Sequence, residues 1–513
     1  MNPASVSDIQ TARIPLVGSF NTRSFWNTGN SNTASGYVGV GIVGIMVVGN
    51  SVTASSDQRF INAMPDLVEN NMTGKKTYYV YKRPGLETHT TPSTGNVGTA
   101  VHIWIAQGDG DAIISAFGAS NSTIFNATSS LGSTTGQVFD ITETIIGTTP
   151  NLVFSVNNGR GYYYPESGAL TEITDVDYPF NIAGQNPTGT FVHLNGYSFM
   201  LTQQGRIYNS DLNSISSWSA TSYLSAGLYP DKGVGLARYK NLLVAFGQES
   251  TEVFKIVDND TGSPLQAIQE ASIHIGALQY TAITSLEDKL VWVASSSTGS
   301  TSVYMMEEPG QAKRISTDEI DFQLTARGDT DILVSNIKIF GKTLVFVVFG
   351  GTTYVYCVED DFWHEWNSQN AVLWHQWAAN TATSPLVYSI SRNNTSGKVY
   401  KFNPVAPVFT DDGTNFEFRI QTSKVDFDTA RRKFLNKIAI VGDETSSSTN
   451  LSVSWSDDDY TTFNTARTID LSKSNQYLRV GGAFRRRAFR LSNTSSLPIR
   501  LEAIELEYRE GGT

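Results

Sequence analysis

The groups in this sequence that could do chemistry are few. The histidines are His89, His102, His193, His274, His364 and His375. None stands in an HxxxH or HExxH spacing, which would set two imidazoles on one helical face toward a metal. A single cysteine, Cys357, excludes an intrachain disulfide and any multi-cysteine metal site. Asp258-Asn259-Asp260-Thr261-Gly262 starts like a calcium loop, but no bidentate Glu follows at the required place. Asp109-Gly110-Asp111 and Asp457-Asp458-Asp459 are shorter still, so all three read first as solvated turns, with an ion as the alternative. Trp363, Trp366, Trp374 and Trp377 crowd the stretch between His364 and His375. They read as an aromatic platform for a sugar or peptide, or as packing between β units. GxSxG, Walker A and dinucleotide fingerprints are absent in usable context. The expectation is no catalytic set, no metal and no cofactor.

The basic groups are local. They are Lys75-Lys76, Arg431-Arg432-Lys433, and Arg485-Arg486-Arg487 with Arg490. Arg431, Arg432, Arg485, Arg486, Arg487 and Arg490 are the candidate subunit-contact residues. They read as an electrostatic contact with an acidic partner subunit or nucleic acid, or as charges guarding an edge strand from unwanted pairing.

The elements that must position these groups are β. The chain has 513 residues, 48 acidic against 37 basic, and a formal net charge of −11. That balance argues against a protein that reads DNA sequence through a basic face. The turn formers Gly, Ser, Thr and Asn are dense, and no window rich in Ala, Leu, Glu and Lys is long enough for a coiled coil. The first twenty residues carry no basic region followed by an apolar one, so a secretory signal is not expected. The most apolar run, Tyr37 to Gly49, is broken by glycines and too short for a membrane span. It reads as a buried strand pair or as an apolar insertion that meets a neighbouring subunit or a membrane.

One unit recurs: a turn, a short apolar strand, a second turn, and a returning strand that ends on an aromatic. Ala112–Phe125 (AIISAFGASNSTIF) and Asn241–Phe254 (NLLVAFGQESTEVF) show it side by side. Anchors at Ile113, Leu152, Tyr197, Leu242, Leu290, Leu344 and Leu386 are spaced 39, 45, 45, 48, 54 and 42 residues apart. A period of this size built from paired strands implies β-propeller blades, because a lone small sheet leaves both faces wet until its neighbours cover them. The fold class expected is all-β: a propeller of six to eight blades, best read as seven. A row of sandwiches or a β-helix is the competing organisation.

From Phe416 to Tyr508 the strands alternate polar and apolar, which suggests an antiparallel β-sandwich. Expected domains are an N-terminal arm (1–100), the propeller (101–402) and the sandwich (416–513), with a Pro-containing linker before the last. Within the sandwich, Ser456-Asp457-Asp458-Asp459-Tyr460-Thr461-Thr462-Phe463 resembles the Asp-box hairpin found in sialidases and many other β proteins. Tyr460 stands where glycine is usual, which puts the tight turn in question. The arginine triad and Tyr/Glu pair of the sialidases cannot be assembled here.

Three stretches in order resemble the head-to-tail stabilisation proteins of short-tailed phages, also called packaged-DNA stabilisation or tail hub proteins. The first combines Pro15-Leu16-Val17-Gly18, then Gln58-Arg59-Phe60-Ile61-Asn62-Ala63-Met64-Pro65-Asp66, then Pro84-Gly85-Leu86. The second runs from Arg206 to Phe254, with Ser210-Asp211-Leu212, Trp218, Pro230-Asp231, Phe246-Gly247 and Glu252-Val253-Phe254. The third is the Arg-rich strand and final strand, Arg485 to Tyr508. About 30 residues near Trp26 to Ala54 interrupt the first stretch.

The resemblance implies a virion protein, made in the host cytoplasm: a tail hub or nozzle subunit in a six-fold ring. It would join the portal-adaptor complex, carry tail fibres, tailspikes or a needle, and close or line the DNA exit channel, with no small-molecule substrate. An acidic channel wall would let DNA slide by repulsion rather than grip it. The alternatives are a glycan-binding or glycan-hydrolysing propeller and a cellular scaffold propeller. The enzyme alternative calls for perturbed titratable groups at the propeller's axial mouth.

Overall fold

The computed structural model describes residues 9–16, 59–69, 76–104, 112–257, 259, 262–295, 299–327, 331–369, 371–379 and 386–511. The apolar run Tyr37 to Gly49, Asp109 to Asp111 and most of the Asp258 loop lie outside them. Among the described residues there is one α-helix, Asp318–Arg327, and the regular structure is otherwise strand, with two short 3-10 turns. The chain divides into two compact units, one of residues 1–85, 362–371 and 408–513, the other of 86–361 and 372–407.

The second unit is a series of seven antiparallel sheets. They begin with the leading strands Gly98–Trp104, Val138–Ile146, Pro187–Leu194, Gly233–Tyr239, Ile283–Ser285, Leu333–Ile339 and Trp374–Ala379. Each leading strand packs beside the next in this order, and the seventh packs beside the first. Six sequence anchors fall in the second strand of a sheet and the seventh, Leu386, stands just before one, Val387–Ser391. These second strands are covered on both faces; in Lys342–Phe349 every residue from Leu344 on is buried. That is why they appear in sequence as unbroken apolar runs. The turns are local chemistry. Asn195-Gly196 (φ 50° and 83°) and Phe340-Gly341 (φ 53° and 74°) take the left-handed pair that matches the twist of a two-residue hairpin.

Hydroxyls stitch one sheet to the next. The Val138 N–H donates to Ser122 Oγ (3.0 Å), Phe191 N–H to Ser155 Oγ (3.2 Å) and Leu236 N–H to Thr190 Oγ1 (2.9 Å). The seventh sheet is completed from the other end of the unit: Glu87–Thr90 pairs antiparallel with Val399–Phe402.

The first unit has two groups of strands around one core. One group runs Ala63–Glu69, Lys76–Lys82, Arg500–Glu510, Lys433–Gly442 and Tyr477–Phe484, with Gln10–Pro15 also on Arg500–Glu510. The other contains Phe362–Trp366, Arg59–Ile61, Phe418–Gln421, Ala488–Asn493, Asn450–Ser456 and Arg467–Asp470. Phe60, Phe418, Leu435, Ile438, Val453, Phe489, Leu491 and Ile504 bring both groups to a shared apolar core.

Three separate segments of the chain make this unit, and a buried arginine joins them. Arg83, fully buried, donates from Nε to Asn62 Oδ1 (2.7 Å) and from Nη2 to the Asn367 carbonyl (2.9 Å). Its Nη1 and Nη2 reach the two Asp411 oxygens at 3.1 and 2.6 Å. The Phe416 ring lies 3.9 Å from the guanidinium carbon. Asn62 (φ 52°) donates from Nδ2 to Asn367 Oδ1 and to the Glu417 carbonyl. Arg59 adds a two-pronged pair to Glu365 at 2.5 and 2.6 Å. Gly85 is required by space, since a Cβ there would sit 2.0 Å from the Thr410 carbonyl oxygen.

Removing one partner of this cradle should cost far more than replacing both. Asp411→Ala leaves a buried guanidinium short of its counter-charge and should destabilise the first unit by about 3–5 kcal/mol, whereas the pair Arg83→Met with Asp411→Leu should lie nearer wild type. Urea unfolding followed by tryptophan fluorescence checks both.

Lys82 supplies a pH test. Burial, and then repulsion by Arg83, push its pKa down to about 8 against an attraction to Asp411. The folded state thus sheds this proton before the unfolded state does, so stability should rise between about pH 8 and 10.5. Relative to Lys82→Met, wild type should gain up to about 3 kcal/mol across that window. A flat difference in melting temperature between the two would contradict it.

Candidate functional site

Two places hold concentrated polar side chains. In the second unit the leading strands of all seven sheets line a cavity of about 800 Å³. Its titratable groups include His102, Asp140, Glu143, His193, Arg238 and Arg392. Asp140 is solvent-exposed at the cavity wall, yet the protein crowded around it raises its carboxyl above the ordinary range, against the pull of His102 and hydrogen bonds from Ile141 N–H and the Thr142 hydroxyl. Burial and then Arg238 lower His193. His102 Nε2 lies 3.6 Å from Glu143, and Arg392 pairs with Asp331 at 2.8 Å.

The cavity is crossed by side chains. The Phe139 ring, from the second sheet, meets Tyr280 beside the fifth at 4.4 Å between centroids. Gln376 of the seventh sheet donates to the Phe139 carbonyl (3.2 Å). His193 Nδ1 lies 3.3 Å from the hydroxyl of Ser198, which is fully buried behind the wall. The wall therefore offers acids and imidazoles without an exposed hydroxyl activated by an imidazole among the described residues.

The second place is the Arg-rich end of the first unit. The six candidate arginines divide by direction. Arg487 is 1% exposed and faces inward, paired with both Asp457 oxygens at 2.6 and 2.7 Å and lying over Phe484 and Trp455. Arg490 donates twice to Gln421 Oε1 and lies over Phe463. Burial, followed by the repulsion of Arg419, pushes its pKa down to about 10. Arg431, Arg432, Arg485 and Arg486 are exposed. Of these, Arg486 pairs with Asp459 at 2.6 Å, and Arg431 approaches Glu510 at 3.9 Å. Lys433, the last residue of the first basic run, turns inward, donating to the carbonyls of Thr429 and Arg485, and so ties that run to the second.

The Asp-box-like segment forms its turn. Asp458 accepts from Thr462 N–H (2.9 Å) and from the Ser456 and Thr462 hydroxyls. Tyr460 takes φ 69° without being glycine, and its buried hydroxyl donates to the Thr422 carbonyl (3.1 Å). The turn is a structural corner. In the Trp-rich stretch Trp363 is half-buried and Trp366 buried in the first unit, and Trp374 and Trp377 are buried in the second. The Asn62 and Arg83 cradle, by contrast, had no chemical signature in sequence beyond the phage-like motif around it.

Compared with family models, residues 54–384 match the family described as bacteriophage P22 Gp10, beta-propeller. The chain belongs to that family. The matched range takes in Arg59, Asn62, Arg83, Gly85 and Asn367 of the cradle and leaves out Asp411. It also spans six complete sheets of the second. No curated protein sequence matches.

Among solved structures, the crystal structure of Chaetomium thermophilum Raptor aligns at 12% identity and TM-score 0.37, over 62% of this chain and 29% of that one. The crystal structure of BBS1N in complex with ARL6DN, soaked with mercury, aligns at 13% identity and TM-score 0.40, over 60% of this chain and 94% of that one. Neither likeness bears on function.

The division of the arginines gives a sharp contrast. Asp457→Ala should cost roughly 3 kcal/mol by stranding buried Arg487, while Arg485→Ala and Arg432→Ala should each stay within about 0.5 kcal/mol of wild type. Chemical denaturation of the three variants tests it; equal losses at all three positions would show that direction does not decide.

Proposed function

We propose that this protein is a structural subunit of a phage tail, a hub or nozzle component that stabilises packaged DNA. Membership of the bacteriophage P22 Gp10 family is the observation that carries the reading. In this reading the seven sheets are the blades of a closed propeller, and the two strand groups of the first unit form a β-sandwich. Copies assemble into a six-fold ring in the virion, meet the portal-adaptor complex, and hold fibres, tailspikes or a needle.

The crossing of the cavity by Phe139, Tyr280 and Gln376 supports one feature of this arrangement. DNA has no way along the axis of the sheets, so a channel has to be formed between copies. The charge partition supports another. The second unit carries 15 basic against 28 acidic residues, net −13, and the first carries 22 against 20, net +2. A channel wall drawn from the second unit repels phosphate and lets DNA slide.

The test is genetic and compositional. Virions should contain the chain in a fixed multiple of six, and particles made without it should fill with DNA and then lose it. Particles that keep their DNA in its absence would defeat the proposal.

The raised Asp140 and lowered His193 at the cavity favour a second reading, a glycan-binding or glycan-hydrolysing propeller. Under that reading the purified chain retains glycans on an array and Asp140→Asn abolishes retention. The structural reading expects no retention by either protein.

A further inference from the structure

At one end of the first unit an aromatic ring is left in solvent among unpaired cations. Phe434 is 47% exposed, in the strand Lys433–Gly442. Its cross-strand neighbours are Arg509 on one side and Ala483 on the other. Arg432, two residues earlier and just before the strand begins, is exposed as well. Arg485 leaves the sheet two residues beyond Ala483. Arg432, Arg485 and Arg509 are exposed and make no ion pair among the described residues. Arginine and exposed aromatic rings are the side chains most enriched where proteins meet.

The second unit offers the complement. Glu287 and Asp288 in a turn of the fifth sheet, Glu307 and Glu308 at the end of its third strand, and Glu359 to Asp361 after the sixth form an acidic ridge. Glu287 pairs with Lys338 at 3.0 Å, the cross-strand neighbour of Lys338 is Thr343, and Glu359 accepts from the Thr343 N–H and hydroxyl at 2.7 and 2.9 Å, while Lys313 of the fifth sheet reaches Asp361 at 3.7 Å, which places these acids together. Four lysines, Lys289, Lys313, Lys338 and Lys342, pair with this ridge and leave an excess of acid. Glu287 is 79% and Asp361 67% exposed at the side chain despite those pairs.

We infer that the Phe434 face, with Arg432, Arg485 and Arg509, docks on the acidic ridge of a second copy of this chain. The contact joins unlike surfaces, so it repeats from copy to copy and suits a ring rather than a two-fold dimer. It rests on the ring-subunit reading and adds the surfaces that would build it. A nucleic acid is the weaker occupant, because this chain itself carries a matching acidic surface in its second unit, net −13.

The experiment is a charge swap on the full chain, followed by sedimentation velocity across protein and salt concentration. Arg432→Glu with Arg509→Glu, and separately Glu287→Lys with Glu359→Lys, should each weaken self-association at least about tenfold. A mixture of the two reversed proteins should restore it, because opposite charges meet again. Phe434→Ala should weaken it while leaving its salt dependence in place.

Wild type that stays monomeric at its highest soluble concentration would overturn the ring reading and this surface together. Self-association indifferent to both reversals would overturn this surface alone. A labelled single-stranded DNA oligonucleotide is the last arm: tight binding lost in Arg432→Glu with Arg509→Glu, with self-association unchanged, would assign the face to nucleic acid instead.

Discussion

Three separated segments of the first unit meet on one charge kept out of water. Arg83 has lost its hydration and recovers it from four acceptors on three chain segments, Asn62, Asn367, Asp411 and the Pro84 carbonyl. Such a group is unforgiving, since each missing acceptor leaves a buried cation short of partners. It is also specific: few other arrangements of the same segments satisfy a planar fork of five donors. The chain passes between units near Gly85, Phe362, Ala371 and Val408, and the cradle takes hold of it close to three of these points.

How much of this could be read from the residues varies with the strand. The second strands of the sheets were legible because burial on both faces writes itself as a continuous apolar run, as in Leu344 to Phe349. The leading strands were harder. Val138 to Ile145 all border the cavity, and buried, half-buried and exposed residues follow one another without alternation, so Val138–Ile146 has no clean period. The outermost strands, such as Thr171–Glu172 and Leu265–Ala267, are too short to have one. The helix Asp318–Arg327 buries Ile320 and Leu324 alone among its larger apolar residues, a stripe too thin to announce itself.

The polar sites were less legible than the fold. Arg485, Arg486 and Arg487 are consecutive and chemically identical, yet one is buried and two are exposed. The difference lies in the backbone bridge between Val425 and Arg487, some sixty residues apart, which turns the third guanidinium toward Asp457. Nothing in sequence marks Lys82-Arg83 as buried, and only the tertiary fold brings Asp411 to it. At Asp459 and Tyr460 local preference is overruled in the other direction. Both take positive φ, and the side-chain bonds of Asp458 and the buried Tyr460 hydroxyl offset the strain.

The strand Glu87–Thr90 completes a sheet whose other members end at Phe402. During translation this early strand must therefore wait, its hydrogen-bonding edge uncovered, while more than three hundred residues are made. At bacterial-to-eukaryotic elongation rates that interval is roughly 15–60 s. For that time the nascent chain displays an open β edge, the kind of surface that recruits chaperones or a neighbouring nascent chain on the same message. The last blade thus sets a delay on maturation that no rearrangement of the earlier ones can shorten.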